Sequence, residues 1–255
     1  MAGVSYETLK VSREDDVCRV QMFRPEANNA INGRLIAELG SVLAACESDV
    51  KIVILSGLPE VFCSGADFAA VADADASANG NSPDVLYDLW MNFATGPYVT
   101  IADVRGRVNA GGMGFVAASD IVLADGSAQF SLSEMLFGLL PACVMPFLIR
   151  RVGFQRAQYL TLTTQPVDVT TAHGWGLVDA HDARSDLLLR RHLQRLRRLS
   201  KKTIRRYKDY AKQLSGELTS ARTAAVDMNR VVFSDEDNLR ALVRYTREGV
   251  FPWES

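Results

Sequence analysis

Three short segments of this chain carry residue types whose spacing could support chemistry. The first is Phe62-Cys63-Ser64-Gly65-Ala66-Asp67-Phe68, which follows an apolar run and a Gly-Leu-Pro turn. The second is Gly106-Arg107-Val108-Asn109-Ala110-Gly111-Gly112-Met113-Gly114, set between a strand and a helix. Backbone N–H groups at Gly111 and Gly112 would there point out of a helix N-terminus, a place that attracts negative charge. The third runs from Phe130 to Pro141 and places one carboxylate, Glu134, beside Met135, Leu136 and Phe137. Those neighbours would desolvate Glu134 and raise its pKa toward neutrality, the useful range for a catalytic base or acid. Each segment alone has a plainer reading. A glycine-rich turn also serves as a tight connection, and a glutamate in such a run also serves as a cap or a half-exposed residue. Gly111 and Gly112 lack the GxGxxG spacing and the downstream acid of a dinucleotide site.

The cysteines, Cys18, Cys46, Cys63 and Cys143, are scattered with no CxxC pair. They are expected to be free thiols of a reducing cytoplasm, with neither a disulfide framework nor a zinc site. No histidine lies near Cys63 or Cys143 in sequence to activate them, and free buried cysteine packs as a small hydrophobe. His173, His181 and His192 read as surface or helix-end residues.

The elements that must position these segments follow from periodicity. Val17–Phe23, Val50–Ser56, Val99–Val104 and Ile121–Ala124 read as strands, the second nearly all apolar as a buried parallel strand should be. Between the first two, Ile31–Glu47 has helical spacing in Leu35, Leu39, Val42, Leu43 and Cys46. Pro83–Phe93 and Gly112–Ala118 are further helices. Strands alternating with helices argue for βαβ units. After about residue 183 only helical spacing continues. There, Ser234-Asp235-Glu236-Asp237 reads as a capping box before Leu239–Thr246. Ala70 to Ser82 is small and polar and reads as a surface loop. The expected division is an α/β core over 1–182 and a helical region over 183–255.

The chain has 255 residues, 48% hydrophobic and 23% charged, the composition of an ordinary globular protein. No run of eighteen apolar residues occurs, so no membrane span is expected. The start lacks a basic segment followed by an apolar one, so no signal peptide is expected and the cytoplasm is the expected compartment. The formal net charge of −2 hides an asymmetry: residues 187–212 hold eleven Lys or Arg and one acid, Asp209. Such a stretch suits a solvated helix pair, a dock for an acidic partner, or a phosphate site. RNA binding is ranked below these, because no aromatic interleaving or known RNA module accompanies the charge.

In order and in combination, the three segments resemble the enoyl-CoA hydratase/isomerase (crotonase) superfamily. The resemblance includes Ser119-Asp120 after the glycine-led helix, the spacing Phe130…Glu134…Gly138…Pro141, and Gly176-Leu177-Val178-Asp179. It implies an α/β fold of the crotonase ββα superhelix type with a C-terminal helical extension, and a homo-trimer or hexamer. It implies an oxyanion hole from the backbone N–H groups of Ala66 and Gly111, with Glu134 handling the proton on the α-carbon of a thioester. Hydratases of the family carry a second glutamate at a position that falls here on Gly114. Candidates to contact the acyl group are Ser64, Gly65, Asn109, Gly112, Tyr87 and Cys143, with an Arg or Lys at the rim for a distal carboxylate.

The stretches Val108–Val116, Phe130–Glu134 and Pro141–Leu148, with the closing Phe251-Pro252-Trp253-Glu254, are similar to one branch, the stand-alone dehydratases of polyketide β-branching cassettes. That branch removes water from 3-hydroxy-3-methylglutaryl on an acyl carrier protein to give 3-methylglutaconyl. The resemblance thus implies a substrate held as a phosphopantetheine thioester, no cofactor or metal, and an acidic carrier protein docking around Arg190–Lys212. Two other functions fit the residues: an isomerase or hydratase of CoA thioesters, and a non-catalytic crotonase-fold binding protein.

Overall fold

The computed structural model describes residues 5–67, 82–214 and 216–254. Most of the expected elements form close to their expected bounds. Strands β1 (Leu9–Glu14), β2 (Val17–Met22), β3 (Ile52–Ser56), β5 (Val99–Val104), β7 (Ile121–Ala124) and β10 (Ala180–His181) make a six-stranded sheet in the order β1-β2-β3-β5-β7-β10. The β1–β2 hairpin is antiparallel and every other pair is parallel. The first four residues of β3 are buried, which explains their unbroken apolar run.

A second sheet of short strands was not legible from periodicity. Its order is β4-β6-β8-β9, from β4 (Val61–Cys63), β6 (Arg107–Asn109), β8 (Gln129–Ser131) and β9 (Val167–Asp168). Three residues are too few for an alternation to show. The two sheets are interleaved in sequence: β3 is followed by β4, β5 by β6, and β7 by β8. Each turn of chain therefore lays one strand in each sheet, which is how a ββα superhelix is wound.

The helices are α1 (Gly33–Cys46), α2 (Pro83–Thr95), α3 (Gly112–Ala118), α4 (Met145–Val152), α5 (Phe154–Thr163), α6 (Val169–Gly174), α7 (Ser185–Leu196), α8 (Lys201–Leu214), α9 (Glu217–Ser234) and α10 (Glu236–Glu248). Asn32 starts α1, its side-chain oxygen accepting from the Leu35 N–H at 2.9 Å. The cap before α10 is Asp235, which accepts from the Asp237 and Asn238 N–H groups. Ser234 ends α9 instead, its hydroxyl donating to the Val231 carbonyl. This corrects the expected capping box: α9 and α10 are separated by one residue, so Ser234 is still helical. The stretch Ala70–Ser82 lies outside the described residues except for Ser82, as does Phe68.

The main core joins one face of the six-stranded sheet to α1–α6, with Trp90, Phe93, Phe115, Phe130 and Phe147 at its centre. The opposite face is covered by α7, whose Leu189 and Leu193 pack on Ile52, Ile54, Ile101 and Leu123. A third cluster ties the C-terminal helices to the turn after β8, through Phe137, Leu139, Val232 and Leu242.

Candidate active site

Two glycine-rich turns meet at the ends of β4 and β6. After β4, Gly65 takes φ +102°, a conformation that side chains disfavour. Its carbonyl accepts from the Ile31 N–H at 2.7 Å, and the Asp67 N–H donates to the Ile31 carbonyl at 3.0 Å. Arg24 secures the same turn, its Nη2 lying 2.9 Å from the Asp67 carboxylate with both side chains largely buried. After β6, Ala110 has φ +49°, which costs about 1–2 kcal/mol for a residue with a Cβ. That conformation turns the chain into α3. A Cβ added at Gly112 would lie 2.8 Å from the Cys63 carbonyl oxygen, so glycine here lets α3 start against β4.

The approach is close on both sides. A Cβ added at Gly65 would meet the Ala110 Cβ at 2.7 Å and would lie 3.6 Å from the Gly111 nitrogen. One added at Gly111 would lie 4.0 Å from the Ala66 nitrogen. Neither the Ala66 N–H nor the Gly111 N–H has a hydrogen-bond acceptor among the described residues. Both residues line a cavity of about 580 Å³.

Glu134 lines the same cavity. It opens a 3₁₀ turn (Glu134–Phe137) that ends at Gly138 with φ +72°. Glu134 is 8% exposed, and its Oε2 is buried without a hydrogen-bond partner. Burial pushes its pKa up to about 7, against a smaller downward pull from the backbone N–H groups of Glu134 and Ser133. The turn is held from behind by α10. Asn238 Nδ2 donates to the Gly138 carbonyl at 3.1 Å and to Val232 at 3.0 Å. Phe137 meets Tyr245 in a tilted contact at 4.9 Å and stacks on Phe251 at 6.1 Å.

The structure thus brings Glu134, Ala66, Gly111 and Cys143 to one cavity. Burial pushes the Cys143 thiol up to about 12, which leaves it protonated and a poor nucleophile. The other candidates stand beside the cavity. The Asn109 amide donates to Ser133 Oγ at 2.8 Å and its oxygen accepts from Ser131 at 2.9 Å, bridging β6 to the strand before Glu134. Tyr87 is fully buried and donates to the Leu218 carbonyl at 2.6 Å. Ser64, Gly65 and Gly112 shape the turns without lining the cavity.

Sequence reasoning missed Trp90, Phe233 and Arg230 on the cavity wall. Leu86 and Trp90 share one face of α2 by their spacing of four, the signal that was available. Arg230 stands at the rim on α9, hydrogen-bonded to Asp84 and 3.2 Å from Asp227. Its neighbour Arg222 is bidentate to Asp88, at 2.7 Å for both contacts. The Arg230–Asp84 and Arg222–Asp88 pairs fasten α9 to α2.

Fold, cavity and turns together define a class. Residues 12–255 match the family described as enoyl-CoA hydratase/isomerase, and the chain belongs to that family. It is accordingly an enzyme of the lyase type, with the crotonase fold. Among its relatives is the bacillaene synthase dehydratase PksH of Bacillus subtilis, 54% identical over 254 residues that cover 98% of both chains. A crystal structure of a polyketide biosynthesis enoyl-CoA hydratase (pksH) from Bacillus subtilis superposes with a TM-score of 0.94, at 52% identity over 97% of this chain and all of that one. A probable enoyl-CoA hydratase (echA8) of Mycobacterium tuberculosis is 31% identical over 188 residues, 72% of each chain.

Proposed function

We propose that this enzyme dehydrates a 3-hydroxyacyl thioester, namely 3-hydroxy-3-methylglutaryl on an acyl carrier protein, to the 3-methylglutaconyl thioester during polyketide β-branching. The observation that carries the reading is one desolvated carboxylate, its Oε2 without a hydrogen-bond partner, in the same cavity as two unpartnered backbone N–H groups. The relative that matches over nearly the whole chain is named a dehydratase of a polyketide synthase, which supports the same reading.

The reaction needs only proton movements and the loss of hydroxide. The thioester carbonyl oxygen sits between the Ala66 and Gly111 N–H groups. Glu134, as carboxylate, removes the α-proton, and the electron pair moves onto the carbonyl oxygen as an enolate. The two donors bind that developing charge more tightly than the neutral carbonyl, each contributing about 3–4 kcal/mol in the transition state. The enolate then collapses: the α,β double bond forms, the bond from Cβ to oxygen breaks, and Glu134 returns its proton to the departing oxygen. Water leaves and Glu134 is again a carboxylate. Glycine at position 114 cannot share this work, so one acid serves both proton transfers. A pKa of about 7 suits a group that must accept and then donate near neutrality.

The acidic carrier is proposed to dock on α7 and α8. Part of the basic stretch there is already used inside the fold. Lys201 donates to the Val50 and Pro97 carbonyls at 2.6 Å each, and Lys208 lies 2.5 Å from Asp120. Arg191, Arg195, Arg198, Lys202, Arg206 and Lys212 remain exposed and would steer an acidic domain.

The test is mass spectrometry of 3-hydroxy-3-methylglutaryl on a carrier protein and on CoA, with wild type and Glu134→Gln. Loss of one water from the carrier form, abolished in the variant, is the expected result. No water loss from either form would refute the assignment and favour isomerisation of a CoA thioester.

A further inference from the structure

Trp90 lies on α2, is 1% exposed, and is among the residues that line the cavity holding Glu134. Two independent features single it out. Its Nε1–H is buried and has no acceptor among the described residues. A buried donor that has lost water and gained no acceptor is unfavourable, so native proteins keep few without a use. The ring also stands against Gly114. A Cβ added there would meet Trp90 Cε2 and Cζ2 at 2.3 Å each. The indole therefore fills the space into which any side chain at position 114 would project, the position where hydratases of this family carry their second glutamate. Cε2 is the ring atom bonded to Nε1, so the free donor adjoins the edge nearest Gly114. The ring is held in place by edge contacts with Phe115 and Phe147, both at 5.9 Å between centroids.

We propose that the Trp90 indole N–H binds the β-hydroxyl oxygen of the substrate, a neutral donor standing where a second acid would be. This rests on the reading of the cavity as the site of a 3-hydroxyacyl thioester dehydratase. An indole N–H does not ionise near neutral pH, so it orients the leaving oxygen without protonating it. The proton for the departing water then comes from Glu134. The same donor distinguishes 3-hydroxyacyl thioesters from their 3-deoxy counterparts, because only the former give it an acceptor.

The experiment uses full-length protein carrying Glu134→Gln, so that bound substrate stays intact, with ¹⁵N-labelled tryptophan. The chain has three tryptophans. Trp175→Phe and Trp253→Phe, both away from the cavity, assign the Trp90 indole resonance by elimination. The ligands are 3-hydroxy-3-methylglutaryl-CoA and 3-methylglutaryl-CoA. The hydroxy compound is expected to move the Trp90 indole proton downfield, and the deoxy compound to leave it nearly unmoved. Trp90→Phe is expected to weaken binding of the hydroxy compound roughly five- to tenfold and of the deoxy compound less than twofold. Equal responses to the two ligands, or equal weakening of both, would overturn the inference and leave the dehydratase reading standing. Binding of neither compound, on CoA or on an acyl carrier protein, would overturn the reading and the inference together. Should Trp90→Phe fail to fold, the resonance shifts decide alone.

Discussion

Among the described residues, Glu134 is the only acid on the cavity wall, and its burial has consequences for stability as well as for turnover. In the unfolded chain a glutamate titrates near 4.3. In the fold Glu134 titrates near 7, so between those values the native state holds the extra proton. Native stability is therefore favoured at low pH by this group and falls as pH rises through about 7. Glu134→Gln keeps a neutral group at every pH. It should make the protein more stable than wild type at about pH 8, by up to about 3 kcal/mol, with the difference vanishing near pH 4.5. Urea denaturation at both pH values measures this, and a pH-independent difference would show that Glu134 is not desolvated as described. The same substitution should lower turnover by about 10²–10⁴-fold. In wild type, kcat/KM should rise with pH through about 7 as the carboxylate forms. Trp90 shows the limit of sequence reasoning at this scale. It stands 24 positions before Gly114 and on a different helix, and only the folded chain reveals that its ring fills the space beside that glycine.

Elements set the precision of the site. The turn carrying Glu134 has no long helix of its own and depends on α10 behind it. Asn238→Ala removes two hydrogen bonds to backbone carbonyls, one to Gly138 that closes the turn and one to Val232 on α9. It should cost about 1–3 kcal/mol in stability and lower kcat more than it raises KM, because Glu134 loses its fixed position. Thermal melts and steady-state kinetics together check this; unchanged kcat would show that α10 does not position Glu134. Gly112→Ala should also destabilise by about 1–3 kcal/mol, since its Cβ would push α3 from Cys63. The long elements were legible because their burial leaves a continuous pattern: α1 buries one face in Leu35, Leu39, Val42 and Leu43, and β3 both faces in Ile52–Leu55. The second sheet was not, because three-residue strands are specified by pairing with neighbours distant in sequence. Asn109 and Tyr87 stand beside the cavity and not on its wall for a related reason. Their polar atoms are consumed by Ser131, Ser133 and Leu218, partners that only the fold brings near.

At the scale of the whole molecule, the C-terminal helices close both sides of the core. α7 covers the sheet, and α9 lines the cavity with α10 packed behind the Glu134 turn. The Lys208–Asp120 pair joins α8 to the core with Lys208 only 4% exposed, and the Asp120 carboxylate also accepts from the Thr100 N–H. Burial lowers the Lys208 pKa, helped by Arg150 and opposed by Asp120. Asp120→Asn should therefore destabilise by about 3 kcal/mol, by leaving a buried ammonium without its counter-charge; a melt within 1–2 degrees of wild type would contradict that. The charge asymmetry was visible in the sequence, but not its division between internal ties and exposed charge. If the exposed cations of α7 and α8 steer an acidic carrier, raising ionic strength from about 0.05 to 0.3 M should raise KM for carrier-bound substrate several-fold and leave the CoA form little changed. The most direct test of the central claim, that Glu134 forms an enolate held by two backbone N–H groups, is α-proton exchange in deuterated water. A 3-deoxyacyl-CoA has no β-hydroxyl to lose, so enolate formation appears as deuterium at its α-carbon. Wild type should exchange that proton with a pH dependence centred near 7, and Glu134→Gln should not exchange it. Exchange that persists in Glu134→Gln would contradict the account.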